Sequence, residues 1–366
     1  MIPAFLYQYI YLFIVFIFTY VHMNEYVTQN RYGSGNRLVN SSEFASWALI
    51  LFLVIFLGNR PITSVFGDTA GYGEIYPLLL NHPFEFHVNA ENFIFDNLFA
   101  ASSRAGLPFS AFLSLMALIY FGCTFLACKK LFPKSPSLSY IVYLGAFSTF
   151  SYGINGFKAG AAAAIFLVAL AYRRNWLITI PLIIVSLGFH HSMIMTIGAY
   201  IAVTFVKNPK YYLYFWAFGL TMAFLHVGYF QNLFGSFADD SGKGYLLVDQ
   251  NDGLTYITGF RFDFVLYSMV PVWLGYKNIK TNYKSQTYSF LLNFYLFTNG
   301  IWLLCMYASF TNRIAYLSWF VYPIVLLYPY LDKNNPRFSL RAIPTVVYRH
   351  LGFTLFMVVI YYGILR

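Results

Sequence analysis

Residues 112–126 read FLSLMALIYFGCTFL, fifteen residues with no charge and no strict alternation of apolar and polar positions. The missing alternation argues against a half-buried strand. An apolar run approaching about 20 residues is long enough to cross the hydrocarbon of a bilayer as a helix. Lipid offers no partner to open backbone groups, so such a run must be helical, and the barrel alternative needs a period of two. Outward from this stretch, similar runs recur along the 366-residue chain, which is 59% hydrophobic, 22% aromatic and 10% charged. A soluble domain carries roughly a quarter charged residues. The fold class that follows is all-α, a single polytopic transmembrane domain over 1–366.

Apolar periodicity places twelve helices near 4–21, 44–58, 108–128, 138–153, 157–172, 176–189, 191–206, 211–229, 262–276, 287–309, 313–331 and 346–365. The first has no basic residues before it and no small-residue cleavage site, so it reads as a retained helix rather than a secretory leader. Cys123, Cys128 and Cys305 are odd in number and sit in apolar runs, which suggests core packing and neither disulfides nor zinc.

The net charge of +10 is spread over short clusters between the helices. A nucleic-acid footprint would be a contiguous basic face with stacking aromatics, so nucleic acid is not an expected partner. The connecting segments alternate in charge instead. Sixteen of the 23 basic residues fall in one set, among them Arg31, Arg37, Lys129, Lys130, Arg173, Arg174, Lys277, Lys280 and Lys333. The other set and its helix ends hold Arg60, Arg104, Lys158, Lys243, Arg261, Arg313 and Arg366, together with ten of the 13 acidic residues. The positive-inside rule puts the first set in the cytoplasm and both termini outside.

Two long segments, 59–107 and 231–260, are then external. The first contains two apolar-periodic stretches, 72–80 and 92–101, expected to form short interfacial or re-entrant helices over a cavity. In the second, Asp239–Asp240 beside Ser241-Gly242-Lys243 reads as a solvated turn; it is the closest acidic pair, and no metal is implied. Tyr7, Tyr9, Tyr11, Tyr211, Tyr212 and Tyr214 are expected in interfacial aromatic belts.

The external helix ends collect polar groups. Arg60 follows the second helix and precedes Gly67-Asp68-Thr69 and Tyr72. Lys158 opens an alanine-rich helix, His190-His191-Ser192 occupy a tight outer turn, Arg261 and Asp263 open a later helix, and Arg313 opens another. Ionisable residues at membrane depth commonly face a polar cavity and mark a functional path. Several cations at headgroup level suit a diphosphate tethered to a lipid, and arginine forks match its oxygens in bidentate fashion. The bland alternative for each is a cation snorkelling to lipid headgroups.

Four stretches, in order, resemble the EpsG family of extracellular and capsular polysaccharide synthesis, akin to Wzy O-antigen polymerases. Arg60 with Gly67-Asp68-Thr69-x-x-Tyr72 is similar to the family's Arg…Gly-x-Asp-x-x-x-Tyr block. Asn155-Gly156-Phe157-Lys158-x-Gly-x-Ala162 resembles its Asn-x-x-Arg-Gln-x-x-Ala block. Phe189-His190-His191-Ser192 resembles Phe-His-x-Ser, and Gly259-Phe260-Arg261-Phe262-Asp263-Phe264 resembles Arg-x-Asp-Phe, with Arg313 at a late basic position. Lys158 departs from the pattern: it keeps the charge of the family's arginine but loses the planar fork, and Ala159 replaces the glutamine.

The resemblance implies a fold like the GT-C-type membrane glycosyltransferases and a site on the outer face of the bacterial cytoplasmic membrane. It also implies transfer of a growing glycan from polyprenyl pyrophosphate to the terminal sugar hydroxyl of a lipid-linked repeat, without a cofactor. A chain-length regulator is an expected partner. Arg60, Lys158, Arg261 and Arg313 would bind pyrophosphate. Asp68 or His190 would be the base, although Asp68 reads equally as a turn or cap residue and His190 as a packing histidine. Asp263 would orient Arg261, Tyr72 is a candidate for stacking on sugar, and packing is the expectation for His191. A lipid-linked glycan ligase would use the same donor and cations. A flippase would carry charge through mid-membrane with repeat symmetry, and an acyltransferase would not need the repeated outer arginines.

Overall fold

The computed structural model describes residues 2–32, 37–83, 85–235, 259–281, 283–308, 311–335 and 341–361. Asp239, Asp240, Lys243, Arg337, Arg366 and most of the 231–260 segment lie outside the described residues. Among those described, the chain is helical with no strand. It divides into two compact units, Met1–His190 and His191–Arg366.

The first unit holds α1 (Leu6–Tyr32), α2 (Arg37–Gly58), α3 (Asp68–Ile75), α4 (Phe93–Arg104), α5 (Phe109–Leu131), α6 (Pro136–Leu144), α7 (Phe147–Ile154), α8 (Phe157–Ala171) and α9 (Trp176–Phe189). α8 is its centre. The run Ala161–Ala164 is fully buried, and its small side chains let α5 and α9 approach closely. α7 and α8 meet at a 120° bend across Asn155-Gly156, a broken span or re-entrant hairpin. Gly160 makes the hairpin possible, because a Cβ there would overlap the carbonyl oxygen of Tyr152 in α7. Overpacking of this kind costs about 1–3 kcal/mol. Gly160→Ala is therefore expected to lower the thermal midpoint of the purified protein. Gly198→Ala meets open space and should leave the midpoint unchanged or raise it slightly.

The second unit holds α10 (Met193–Phe205), α11 (Pro209–Phe224), α12 (Tyr229–Gly235), α13 (Phe262–Lys280), α14 (Gln286–Leu304), α15 (Thr311–Trp319), α16 (Tyr322–Leu331) and α17 (Ala342–Val359). α14 is its core helix, packed by α10, α11 and α15. Its polar Asn299 is a buried hub: Oδ1 accepts from Trp216 Nε1 at 2.7 Å, and Nδ2 donates to Ser268 Oγ at 3.1 Å and Ser318 Oγ at 2.9 Å. Trp319 Nε1 also donates to Ser268 Oγ at 2.9 Å. A buried network satisfied in this way fixes the register of α11, α13, α14 and α15.

Among the described residues, four helices are long and apolar enough to cross a bilayer, five if the bent α7–α8 pair is one span, and Glu43–Gly58, Trp176–Phe189 and Met193–Phe205 are apolar but shorter. The chain is thus a polytopic, membrane-embedded helical protein, although helix length and apolarity alone do not reach the expected twelve spans. One reason is local. The helix expected at 138–153 divides into α6 and α7 at Gly145-Ala146, where Ala146 is extended. The expected 72–80 and 92–101 stretches appear as α3 with the short 3-10 helix Tyr76–Asn81, and as α4.

The tyrosine belt needs correction. Tyr9, Tyr211 and Tyr214 are exposed, but Tyr7, Tyr11 and Tyr212 are buried. Tyr7 and Tyr11 lie one turn apart on the inward face of α1, and Tyr11 donates to the Leu144 carbonyl at 2.7 Å. Tyr212 donates to the Val206 carbonyl at 2.7 Å. Cys123, Cys128 and Cys305 are free thiols, the last two buried.

Candidate functional site

In the first unit, stretches far apart in sequence meet. Arg60 leaves the end of α2 buried, only 4% exposed. Its Nη1 donates to the Leu57 carbonyl at 2.7 Å, and Nη2 to the Ile154 carbonyl at 3.1 Å. Nε and Nη2 also reach Thr69 Oγ1 at 3.1 and 2.8 Å. Thr69 Oγ1 donates in turn to the Ile154 carbonyl at 3.2 Å. One guanidinium thus ties the end of α2, the start of α3 and the last residue of α7. Burial pushes its pKa down to about 9, which leaves it protonated at neutral pH.

Gly67 makes this junction possible. Its φ of +50° is one that L side chains rarely adopt, and a Cβ there would lie 3.5 Å from the Asn155 side chain. The turn sends the chain into α3, which begins at Asp68, a half-buried residue in the first helical turn. One turn later Tyr72 packs its ring edge-on against Phe95, Phe99 and Phe157 at 5.3–5.5 Å.

Lys158 rises from the start of α8 into this group. Its Nζ lies 5.9 Å from the Tyr72 ring centre and 5.4 Å from that of Phe95. Burial raises the Tyr72 pKa, and the nearby Lys158 ammonium opposes that shift. Arg60 lies 5.7 Å from the Phe157 ring centre. The first two motif blocks therefore form one cluster, with two cations over an aromatic floor.

The sequence reading passed over Asp96 in α4. Burial raises its pKa above the usual carboxylate value, against the pull of Lys158 and the Asn92 backbone N–H. The signal was present. Asn92 at the N-cap and Phe95, Phe99 and Ser103 within α4 are buried at helical spacing, and the half-buried Asp96 is an acidic residue beside them.

His190 caps the C-terminus of α9, its backbone N–H donating to the Ser186 carbonyl at 3.1 Å. α9 packs on both α8 and α4, and Ser186 Oγ donates to the Ala162 carbonyl at 2.8 Å. His191, half-buried, is the first residue of the second unit.

Within the second unit Arg261 and Asp263 form a buried bidentate pair. Nε donates to Oδ1 at 2.9 Å and Nη2 to Oδ2 at 2.5 Å. The guanidinium lies 3.7 Å from the Phe264 ring centre and 5.6 Å from that of Tyr361. Arg313 differs: it is exposed, in the first turn of α15 beside Thr311, whose hydroxyl accepts from Trp302 Nε1 at 2.9 Å.

A family model described as "EpsG family" matches residues 45–364, a span that takes in each of these residues from Arg60 to Arg313. No curated protein and no solved structure matches the chain.

Proposed function

The chain belongs to the EpsG family, and on that premise we propose that it is a glycosyltransferase, a polysaccharide polymerase acting on lipid-linked glycans at the outer face of the cytoplasmic membrane. The growing glycan on polyprenyl pyrophosphate is the donor, and the terminal hydroxyl of a lipid-linked repeat is the acceptor. The reading includes the twelve-span topology, the GT-C-like fold and a chain-length regulator as partner.

The observation that carries it is the cluster in the first unit, where Arg60, Thr69, Tyr72 and Lys158 come from separate segments to one place. Preorganised cations stabilise the charge that develops on a departing diphosphate without reorganising during the reaction. Lys158 is proposed to contact a lipid diphosphate, as are Arg261 and Arg313 of the second unit. Asp263 holds the Arg261 fork in one orientation. Arg60 spends its donors on internal oxygens and is proposed to act by positioning Thr69 and the α7–α8 bend. Asp68 and His190 are the candidate bases from the motifs.

Deletion of the gene, followed by analysis of the surface glycan, tests this reading. The expected result is a glycan capped at a single repeat unit. Polymer of normal length contradicts it, and full-length polymer left on its lipid carrier identifies a ligase instead.

A further inference from the structure

Two packed helices of the first unit, α2 and α5, measure the depth of the segment that connects them. Glu43, where the apolar part of α2 begins, pairs with Lys129 near the end of α5 at 2.8 Å. At the other end of α2, a Cβ on Gly58 would lie 2.9 Å from the Ser114 Cα of α5. The two contacts are fifteen residues apart along both helices, so α2 stops about 22 Å from the ion pair. α5 runs on from Ser114 to Phe109 and reaches about 30 Å, the thickness of a bilayer's hydrocarbon. α2 therefore ends about 7 Å short of the far boundary. α9 is short as well, its 14 residues covering about 21 Å.

The chain that follows α2 packs at the missing height. The Tyr76 ring centre lies 5.1 Å from that of Phe109 and 5.9 Å from that of Phe112, and Phe99 lies 5.2 Å from Phe112. α4 rests on the end of α9, where a Cβ on Gly188 would meet the Ile94 side chain at 2.6 Å. The Tyr76–Asn81 helix and α4 thus stand level with the first turn of α5, not beyond it. Along the same stretch Ile62, Val65, Ile75, Leu78 and Leu80 are 49–66% exposed. In the chain they follow directly on the exposed apolar face of α2, formed by Phe44, Leu51 and Ile55. Arg60, which separates the two groups, turns inward, so no exposed cation marks a membrane boundary there. From 61 to 80, all described residues, Glu74 is the one exposed charge. The polarity then changes, and His82, Glu85, His87 and Glu91 are all exposed.

We propose that Ile62, Val65, Ile75, Leu78 and Leu80 form a lipid-docking edge, immersed among the phospholipid acyl chains of the leaflet opposite the Glu43–Lys129 pair. In the proposed topology that is the outer leaflet. The edge supplies the apolar height that α2 and α9 lack, and it holds the cluster of Arg60, Tyr72 and Lys158 at the depth of that leaflet. The inference goes beyond the polymerase reading and stands without it. A short span can instead be accommodated by thinning of the bilayer around it. In that arrangement the edge stands in water.

The test uses the full-length protein in phosphatidylcholine nanodiscs, whose two faces are both open to solvent. Cys123→Ala removes the accessible thiol and leaves Cys128 and Cys305, which are buried. In that background Leu78→Cys carries a thiol-reactive bimane. Leu51→Cys on the exposed face of α2 is the lipid reference, and Asn89→Cys in the exposed 82–91 stretch is the water reference. Bimane emission is quenched from the lipid side by phosphatidylcholine brominated on its acyl chains, and from the water side by iodide. The label on Leu78→Cys is expected to match that on Leu51→Cys, quenched several-fold more by bromolipid than the Asn89→Cys label and shielded from iodide. Iodide quenching equal to that of Asn89→Cys overturns the proposal in favour of a thinned bilayer. Quenching by neither agent also overturns it, because protein, such as a second copy of the chain, then covers the edge. Should Leu78→Cys not fold, Val65→Cys gives the same reading with the same two outcomes against it.

Discussion

Arg261→Met alone is expected to destabilise the protein by about 3–5 kcal/mol, and the double variant Arg261→Met, Asp263→Leu to recover most of that loss. The reason is burial. Both side chains are under a tenth exposed and are joined by two parallel hydrogen bonds. Removing one partner strands a charge in a low-dielectric surrounding, whereas replacing both with apolar groups strands none. Phe264 and Tyr361 are the aromatic neighbours that would accept the replacement. Thermal unfolding of the four proteins of the cycle measures the coupling.

The same cycle separates fold from function. The double variant should be as well folded as wild type yet fail to lengthen glycan chains, because the guanidinium proposed to meet diphosphate is gone. A stable double variant that builds chains of normal length would show Arg261 to be structural only.

Arg60→Ala should cost about 2–4 kcal/mol, because it leaves the Leu57 carbonyl and the Thr69 hydroxyl oxygen without their buried donor and the Ile154 carbonyl with Thr69 alone. Its effect on chain growth should exceed that of an ordinary destabilised variant. Displacing the α7–α8 bend by about 1 Å moves Lys158, and misplacements of that size cost on the order of 10²-fold in rate. Arg60→Lys keeps the charge but cannot bridge three oxygens with one planar fork, so it should rescue only part of the stability. Coupling between Arg60→Ala and Thr69→Val should be about 1–3 kcal/mol in a double-mutant cycle of stability. Additive effects would show that the two side chains are independent.

Much of the helical framework was legible because polar residues bracket the apolar runs. Asn175 and His190 bound α9 at the limits read from the sequence, and Gly156 precedes α8. The division of 138–153 was not legible, because neither Gly145 nor Ala146 forbids a helix. The break depends on tertiary contacts such as Thr149 Oγ1 donating to the Tyr143 carbonyl at 2.7 Å and Tyr120 to the Thr149 carbonyl at 3.2 Å. The tyrosine belt failed for a similar reason: spacing along α1 separates Tyr9 from Tyr7 and Tyr11, but composition does not.

For the site, the sequence offered residue types and order. It did not show that Arg60 turns inward, since its partners at Leu57 and Ile154 are backbone carbonyls and leave no mark in the sequence. Asp96 was hidden because an acidic residue in the first turn of a helix reads as a helix-stabilising charge. Only its half-buried place beside Phe95 and Phe99 distinguishes it.

The most direct measurement is mass spectrometry of the products formed when the purified protein alone, in nanodiscs, meets a defined polyprenyl-diphosphate-linked repeat. A ladder of glycans growing by whole repeats, with one equivalent of free polyprenyl diphosphate released per added unit, is the predicted result. Unchanged starting material after prolonged incubation with folded protein would contradict it.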